Sequence, residues 1–243
     1  MRLASGILSR FAAATAAALL LATAQVGPLA PAPAEAASIS DPLTGGSSRA
    51  TRVNGGRFSR EGWTVTNNAA GDQIGQYLFY LLPSGTKSGS VEFEAKGFVF
   101  SKYPAAADNR EHIWGVFDRD GPHDAPGSQY AGFNLRLYDH KLAGEGTFFP
   151  GSSRLRFFSP STEDIDADRK GAVSWDRNKW YRFRFEWSQT GARWFKDGKL
   201  QSSVRAPNQG RSYRYLYVGS DHRRKFLTPV NITYRNVRIS SSG

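Results

Sequence analysis

The run Tyr181-Arg182-Phe183-Arg184-Phe185-Glu186-Trp187 sets an aromatic ring and a charged group in strict alternation. Successive side chains of a β-strand point to opposite faces. The four rings therefore share one face, and Arg182, Arg184 and Glu186 share the other. A helix, with its period of 3.6 residues, would scatter them. A turn then leads to Gly191-Ala-Arg-Trp194-Phe-Lys-Asp197-Gly198, a second aromatic run that closes on a turn pair. The two runs read as a hairpin with an aromatic inner face and a charged outer face.

The same pattern recurs along the chain. Alternating segments lie at Gly62–Thr66, Tyr77–Leu82, Ser90–Phe100, His112–Phe117, Gly132–Tyr138, Arg154–Phe158, Trp180–Trp187, Arg193–Lys196, Tyr213–Val218 and Ile232–Ile239. Clusters of Gly, Pro, Asn, Asp and Ser separate them. No amphipathic stretch of helical length interrupts them. About ten strands at this spacing predict two stacked antiparallel sheets, a β-sandwich of the jelly-roll kind. Alternation also predicts faces. Ile113, Phe117, Leu216 and Val218 suit the core, as do Leu155 and Phe157. His112, Trp114, Val116, Asn134, Arg136, Tyr138, Arg154, Arg156, Tyr213, Tyr215 and Tyr217 then point outward.

The hairpin at 180–198 resembles one found in the concanavalin A-like lectin/glucanase superfamily. There, a strand of W-x-x-Y-x-x-x-W type precedes an aromatic strand ending in Asp-Gly. Tyr215-Leu-Tyr-Val-Gly219 resembles a later strand of that fold, Ile232–Ile239 its closing strand, and Asp41-Pro42 to Trp63 its opening. The resemblance implies a concanavalin A-like jelly roll with one concave face, lined by the strands around 112–118, 132–140 and 213–219. The hairpin at 180–198 would lie on the convex side. This fold carries hydrolases, lyases and lectins alike, so function has to be argued from the site.

Glycoside hydrolase family 16, in the same superfamily, places E-x-D-x-x-E on a concave strand. Its retaining chemistry needs two carboxyls about 5–5.5 Å apart. Here the corresponding strand carries Asn134, Arg136 and Tyr138, so hydrolysis of that type is disfavoured. The groove residues suit elimination on a uronic-acid polysaccharide instead. That reaction needs a donor to neutralise the carboxylate, a base for the C5 proton and an acid for the C4 oxygen. Arg136 and Asn134 suit the first role, His112 or His140 the second, and Tyr138 or Tyr217 the third. Trp114, His140, Arg154, Arg156 and Tyr215 would bind substrate, because arginine forks match carboxylate oxygens in pairs. The alginate lyases of this fold carry R-S/T-E-L, Q-I/V-H and Y-F-K-A-G-x-Y-x-Q. This chain lacks the first, has Glu111-His112-Ile113 near the second, and has Asp221 where the tyrosine of the third would fall. The expectation is thus a polysaccharide lyase of another kind. The alternatives are a carbohydrate-binding module or lectin without catalysis, and an adhesive surface protein.

Export fits this reading. Arg2 and Arg10 precede an apolar run from Phe11 to about Val26, and Ala34-Glu35-Ala36-Ala37 offers a small-x-small cleavage site. Residues 1–37 read as a signal peptide and 38–243 as one β-sandwich domain, secreted to the extracellular or periplasmic space, monomeric, with no membrane span. Cysteine is absent, so packing rather than crosslinks must hold an exported fold. The chain has 32 Lys and Arg against 21 Asp and Glu; without the leader the balance is 30 against 20. That excess favours a polyanionic partner. With export, acidic polysaccharide is a better candidate than nucleic acid, although Tyr213-Arg-Tyr-Leu-Tyr has groups that would stack on bases.

No cofactor is required by this chemistry. Two acidic stretches, Asp118-Arg-Asp120-Gly121-Pro-His123-Asp124 and Glu163-Asp164-Ile-Asp166-Ala-Asp168, have oxygen spacing suited to a structural Ca²⁺, but neither completes an EF-hand. The segment Asp118–Ser128 also reads as a loop beside the groove, where binding residues tend to sit. His112, His123, His140 and His222 show no zinc spacing.

Overall fold

The computed structural model describes residues 36–66, 75–98, 110–121, 132–138, 154–158, 176–205, 211–219 and 231–243. They form fourteen strands and no helix. In chain order these are β1 (Ala37–Asp41), β2 (Arg52–Asn54), β3 (Arg57–Ser59), β4 (Gly62–Thr64), β5 (Tyr77–Leu81), β6 (Ser88–Lys96) and β7 (Arg110–Phe117). There follow β8 (Gly132–Tyr138), β9 (Arg154–Phe158), β10 (Tyr181–Ser188), β11 (Gly191–Lys196), β12 (Lys199–Arg205), β13 (Tyr215–Gly219) and β14 (Thr233–Ser242).

Two antiparallel sheets result, as the alternation predicts. The eight-stranded sheet runs β12-β11-β10-β6-β14-β4-β3, with β1 also paired to β14. The six-stranded sheet runs β2-β5-β13-β7-β8-β9. The 180–198 hairpin therefore belongs to one sheet, and the strands expected around the groove belong to the other.

Phe93, Phe183, Phe185, Trp194, Trp114, Val116, Leu135, Leu216 and Val218 are all buried between the sheets. Fully burying a ring or aliphatic chain of this size is worth about 1.5–3 kcal/mol. Phe93 and Phe183 stack at 5.5 Å across the β6–β10 pair. At the chain end, where β14 has lost its large side chains, hydroxyl pairs take over. Ser88 with Ser242 and Ser90 with Ser240 each lie at 2.8 Å.

The outer face of the eight-stranded sheet is a lattice of compensated charge. Arg182 pairs with Glu92 (2.7 Å), Arg193 with Glu186 (2.6 Å), Arg235 with Glu94 (2.6 Å) and Lys96 with Glu61 (2.7 Å). Exposed pairs of this kind add little stability. Their effect is that Arg182, Arg193, Arg235 and Lys96 already have acidic partners.

The six-stranded sheet corrects part of the face assignment. Trp114 and Val116, expected outward, are in the inter-sheet core, and Phe117, expected inward, lies on the outer face with Phe79 and Tyr217. A register irregularity between His112 and Trp114 is the cause: Ile113 is extra relative to β8. A β-bulge lets two consecutive residues take the same side and reverses the alternation beyond it. Ile113 and Trp114 are both fully buried in the core. Tyr213, also expected outward, precedes β13 and packs on Phe133 at 5.4 Å inside the core.

Candidate functional site

The outer face of the six-stranded sheet has a small aromatic cluster of its own. Phe79, Phe117 and Tyr217 are buried there, and half-buried Tyr77 and Tyr215 pack against them. Each ring comes from a residue of the minority phase, the one opposite Leu78, Val116, Leu216 and Val218. Tyr217 meets Phe79 at 5.1 Å and Tyr77 edge-on at 5.2 Å, while Tyr215 stacks on Phe79 at 6.1 Å. Gly115 makes room for the cluster: a Cβ there would sit 2.5 Å from the Phe117 ring.

The cluster is capped by charge. Asp120, just beyond the end of β7, accepts a hydrogen bond from the Tyr217 phenol. Gly121 N–H donates to the same phenol oxygen at 3.0 Å. Arg52 Nη2, from β2, donates to Asp120 Oδ1 at 3.0 Å. The Arg52 guanidinium also lies 4.7 Å over the Phe79 ring and 5.5 Å from that of Tyr77. Burial works against the charged Asp120 carboxylate. The hydrogen bonds from Tyr217 and Arg52, with the guanidinium charge, outweigh it and hold the carboxyl below its usual range. The hydrogen bond to Asp120 in turn raises Arg52. Next to this pair, Arg211 Nη1 meets Asp118 Oδ2 at 2.6 Å.

Backbone register orders the expected site residues. His112, Arg136 and Arg156 pair in one row across β7, β8 and β9; Arg110, Tyr138 and Arg154 pair in the next. A third row runs Arg52, Phe79, Tyr217, Gly115, Asn134 and Phe158 across all six strands. Positions two apart on a strand share a face, so positions 134, 136 and 138 belong to one side of the sheet. His140 lies outside the described residues.

Three expected site residues are not open to a ligand. Trp114 is a core residue, stacked on Phe185. Asn134 is fully buried beside the Gly115 and Phe117 positions. Tyr217 is 1% exposed, with its oxygen engaged by Asp120 and Gly121. Tyr215 is half-buried at the edge of the cluster, with the Arg214 guanidinium 5.7 Å from its ring. The groups that do reach solvent here are Arg52 and Asp120, with side chains 45% and 48% exposed. Arg52 carries no signal in the sequence that would single it out. Asp120 stands there only as part of an acidic loop.

In the described part of that loop, Arg211 pairs with Asp118 and Arg52 with Asp120. Among the described residues no three His, Cys, Asp or Glu side chains converge. Glu163 to Asp168 lies outside the described residues. A depression of about 600 Å³ occurs on the eight-stranded sheet, lined by Glu186, Ser188, Gly191, Arg193, Ser203 and Arg205. Its central Glu186 and Arg193 satisfy each other, and the nearby Trp187 ring is turned into the core.

No protein-family model matches the chain, and no curated protein matches it. Solved structures do. Basic winged bean lectin, in complex with Tn-antigen, superposes with a TM-score of 0.54 at 10% identity, covering 86% of this chain and all of the lectin. The chain shares the β-sandwich fold of that structure. Trypanosoma rangeli sialidase, as its covalent intermediate with 2,3-difluorosialic acid, gives a TM-score of 0.53 at 11% identity over 83% of this chain. The chain spans only 30% of that sialidase's length. At such identities the likeness concerns fold alone.

Proposed function

We propose that this is an exported carbohydrate-active protein that engages an acidic polysaccharide on the outer face of its six-stranded sheet. The observation that carries the reading is the pair of adjacent register rows, His112-Arg136-Arg156 and Arg110-Tyr138-Arg154. Four arginines and a histidine fall within two rows of three strands, whereas Arg182, Arg193 and Arg235 of the opposite sheet are paired with glutamates. Repeated guanidinium groups suit a repeated carboxylate.

Cleavage by β-elimination is the reaction that these residue types support. Arg136 would neutralise the uronate carboxylate and so acidify C5–H. His112, one strand away, would take that proton, and Tyr138 would protonate the departing C4 oxygen. The products are an unsaturated uronate end and a free hydroxyl, so no water is consumed. Tyr217 no longer fits the acid role, because its proton is directed to Asp120. Binding without cleavage is the second reading. The burial of Asn134 and Tyr217 favours it, since it removes two of the groups expected to act on substrate.

Incubation with a panel of polyuronates, followed by the ultraviolet absorbance of the unsaturated product, tests cleavage. Affinity gel electrophoresis on the same polymers tests binding. Rising absorbance that His112→Ala abolishes supports elimination. Retention without absorbance leaves binding alone. Neither on any acidic polymer overturns the proposal.

A further inference from the structure

The outer face of the six-stranded sheet is not uniform. Its β7–β8–β9 side carries the register rows of positions 112, 136, 156 and 110, 138, 154, and its β2–β5–β13 side holds the aromatic cluster capped by Arg52 and Asp120. The second side has a different chemistry. Arg52 and Asp120 neutralise each other at 3.0 Å, so the pair carries no net charge toward a ligand. It still offers N–H donors from the guanidinium and lone pairs from the carboxylate. Tyr77 and Tyr215 flank it as half-buried rings, backed by Phe79. An acceptor carboxylate beside aromatic faces suits hydroxyl groups and the C–H face of a pyranose. A second carboxylate there would be repelled by Asp120 and would have to compete with it for Arg52.

From this division we infer that Tyr77, Phe79, Tyr215, Arg52 and Asp120 form a subsite for an uncharged sugar unit, next to the subsite for an acidic one. The inference rests on the acidic-polysaccharide reading for its second half only. β13 and β8 are separated by β7, so the two subsites lie about two strand spacings apart, on the order of 10 Å. One glycan chain laid across the strands would meet both. The ligand is then a heteropolysaccharide with neutral and uronic units, rather than a homopolyuronate.

The experiment compares retention of the purified protein on three polymers: a homopolyuronate, a polymer alternating uronate with N-acetylhexosamine, and a neutral glucan. Wild type is expected to prefer the alternating polymer. Tyr77→Ala should weaken that retention about tenfold while leaving homopolyuronate retention within about twofold; Asp120→Asn should weaken it too, while homopolyuronate retention holds or rises because Arg52 loses its partner. Near-ultraviolet circular dichroism checks that each variant is folded, and the milder Tyr77→Leu replaces any that is not. Equal weakening on both acidic polymers, or no weakening on either, overturns the subsite. Retention of the glucan alone, lost in the same variants, supports the neutral subsite and sinks the acidic reading. Retention of none of the three overturns both.

Discussion

Trp114 of β7 lies flat on Phe185 of β10, with ring centroids 4.3 Å apart and 9° between the planes. The contact joins the two sheets, since β7 belongs to one and β10 to the other. Trp187 adds a second ring 6.1 Å from Trp114. Replacing Trp114 by alanine opens a cavity between the sheets, and such truncations cost about 3–5 kcal/mol. Urea unfolding of Trp114→Ala is expected to show a loss of that size. A loss below about 1 kcal/mol would mean that the ring lies on the outer face, since surface substitutions rarely cost more.

The reach of the sequence can be judged from these same residues. The β10–β11 hairpin was legible because its alternation runs unbroken from Tyr181 to Trp187, and the whole run keeps one register with β6. The sheet carrying the candidate site was legible in outline, but its faces were not. One inserted residue at Ile113 reverses the pattern, and a run of six letters does not announce a bulge. Arg52 was invisible for another reason. Its strand has three residues, too few for a period, and its partner Asp120 is 68 positions away. Pairing at such a distance comes from topology. The nearest usable signal was the loop beginning at Asp118, which holds the carboxylate but gives no hint of its partners.

Asp120 supplies a titration test. Its folded pKa is lowered, so its contribution to stability is present above the unfolded value near 3.8 and is lost as the pH falls through the lower folded value. Tyr217→Phe removes one of the hydrogen bonds that offset burial. In that variant the Asp120 carboxyl is expected to titrate at higher pH than in wild type, and acid unfolding should begin earlier. Carbon-13 detection of the side-chain carboxyl reads the first directly. An unchanged titration would show that the phenol does not hold the carboxylate.

Asp41 is a carboxylate buried in the fold, 1% exposed. It accepts from the Tyr80 phenol at 3.0 Å, the Ser48 hydroxyl at 2.6 Å and the Arg49 amide at 2.7 Å. Burial, and then the Asp41 charge, push the Tyr80 phenol well above its ordinary value, so it stays a donor throughout the working range. Asp41→Ala would leave these donors without an acceptor, at about 1–3 kcal/mol for each buried group. Tyr80→Phe removes one donor and leaves the others in place. Thermal unfolding should therefore rank wild type, Tyr80→Phe and Asp41→Ala in falling order. An Asp41→Ala protein as stable as Tyr80→Phe would refute the shared-acceptor account.

The distribution of charge between the sheets makes the last prediction. Arg182 spends its guanidinium on Glu92 at 2.7 Å. Arg136 stands between positions 112 and 156 in a row whose three members are all potential cations. If a polyanion binds the six-stranded sheet, Arg136→Ala and Arg156→Ala should each weaken retention on the acidic polymer by roughly tenfold or more, the scale of a lost hydrogen bond to a charged group. Each should also flatten the dependence of retention on salt, because fewer charges remain to be screened. Arg182→Ala should change neither. Retention measured over a salt series separates these outcomes. Equal effects from Arg182→Ala and Arg136→Ala would mean that net charge, rather than the rows on β7, β8 and β9, draws the polymer.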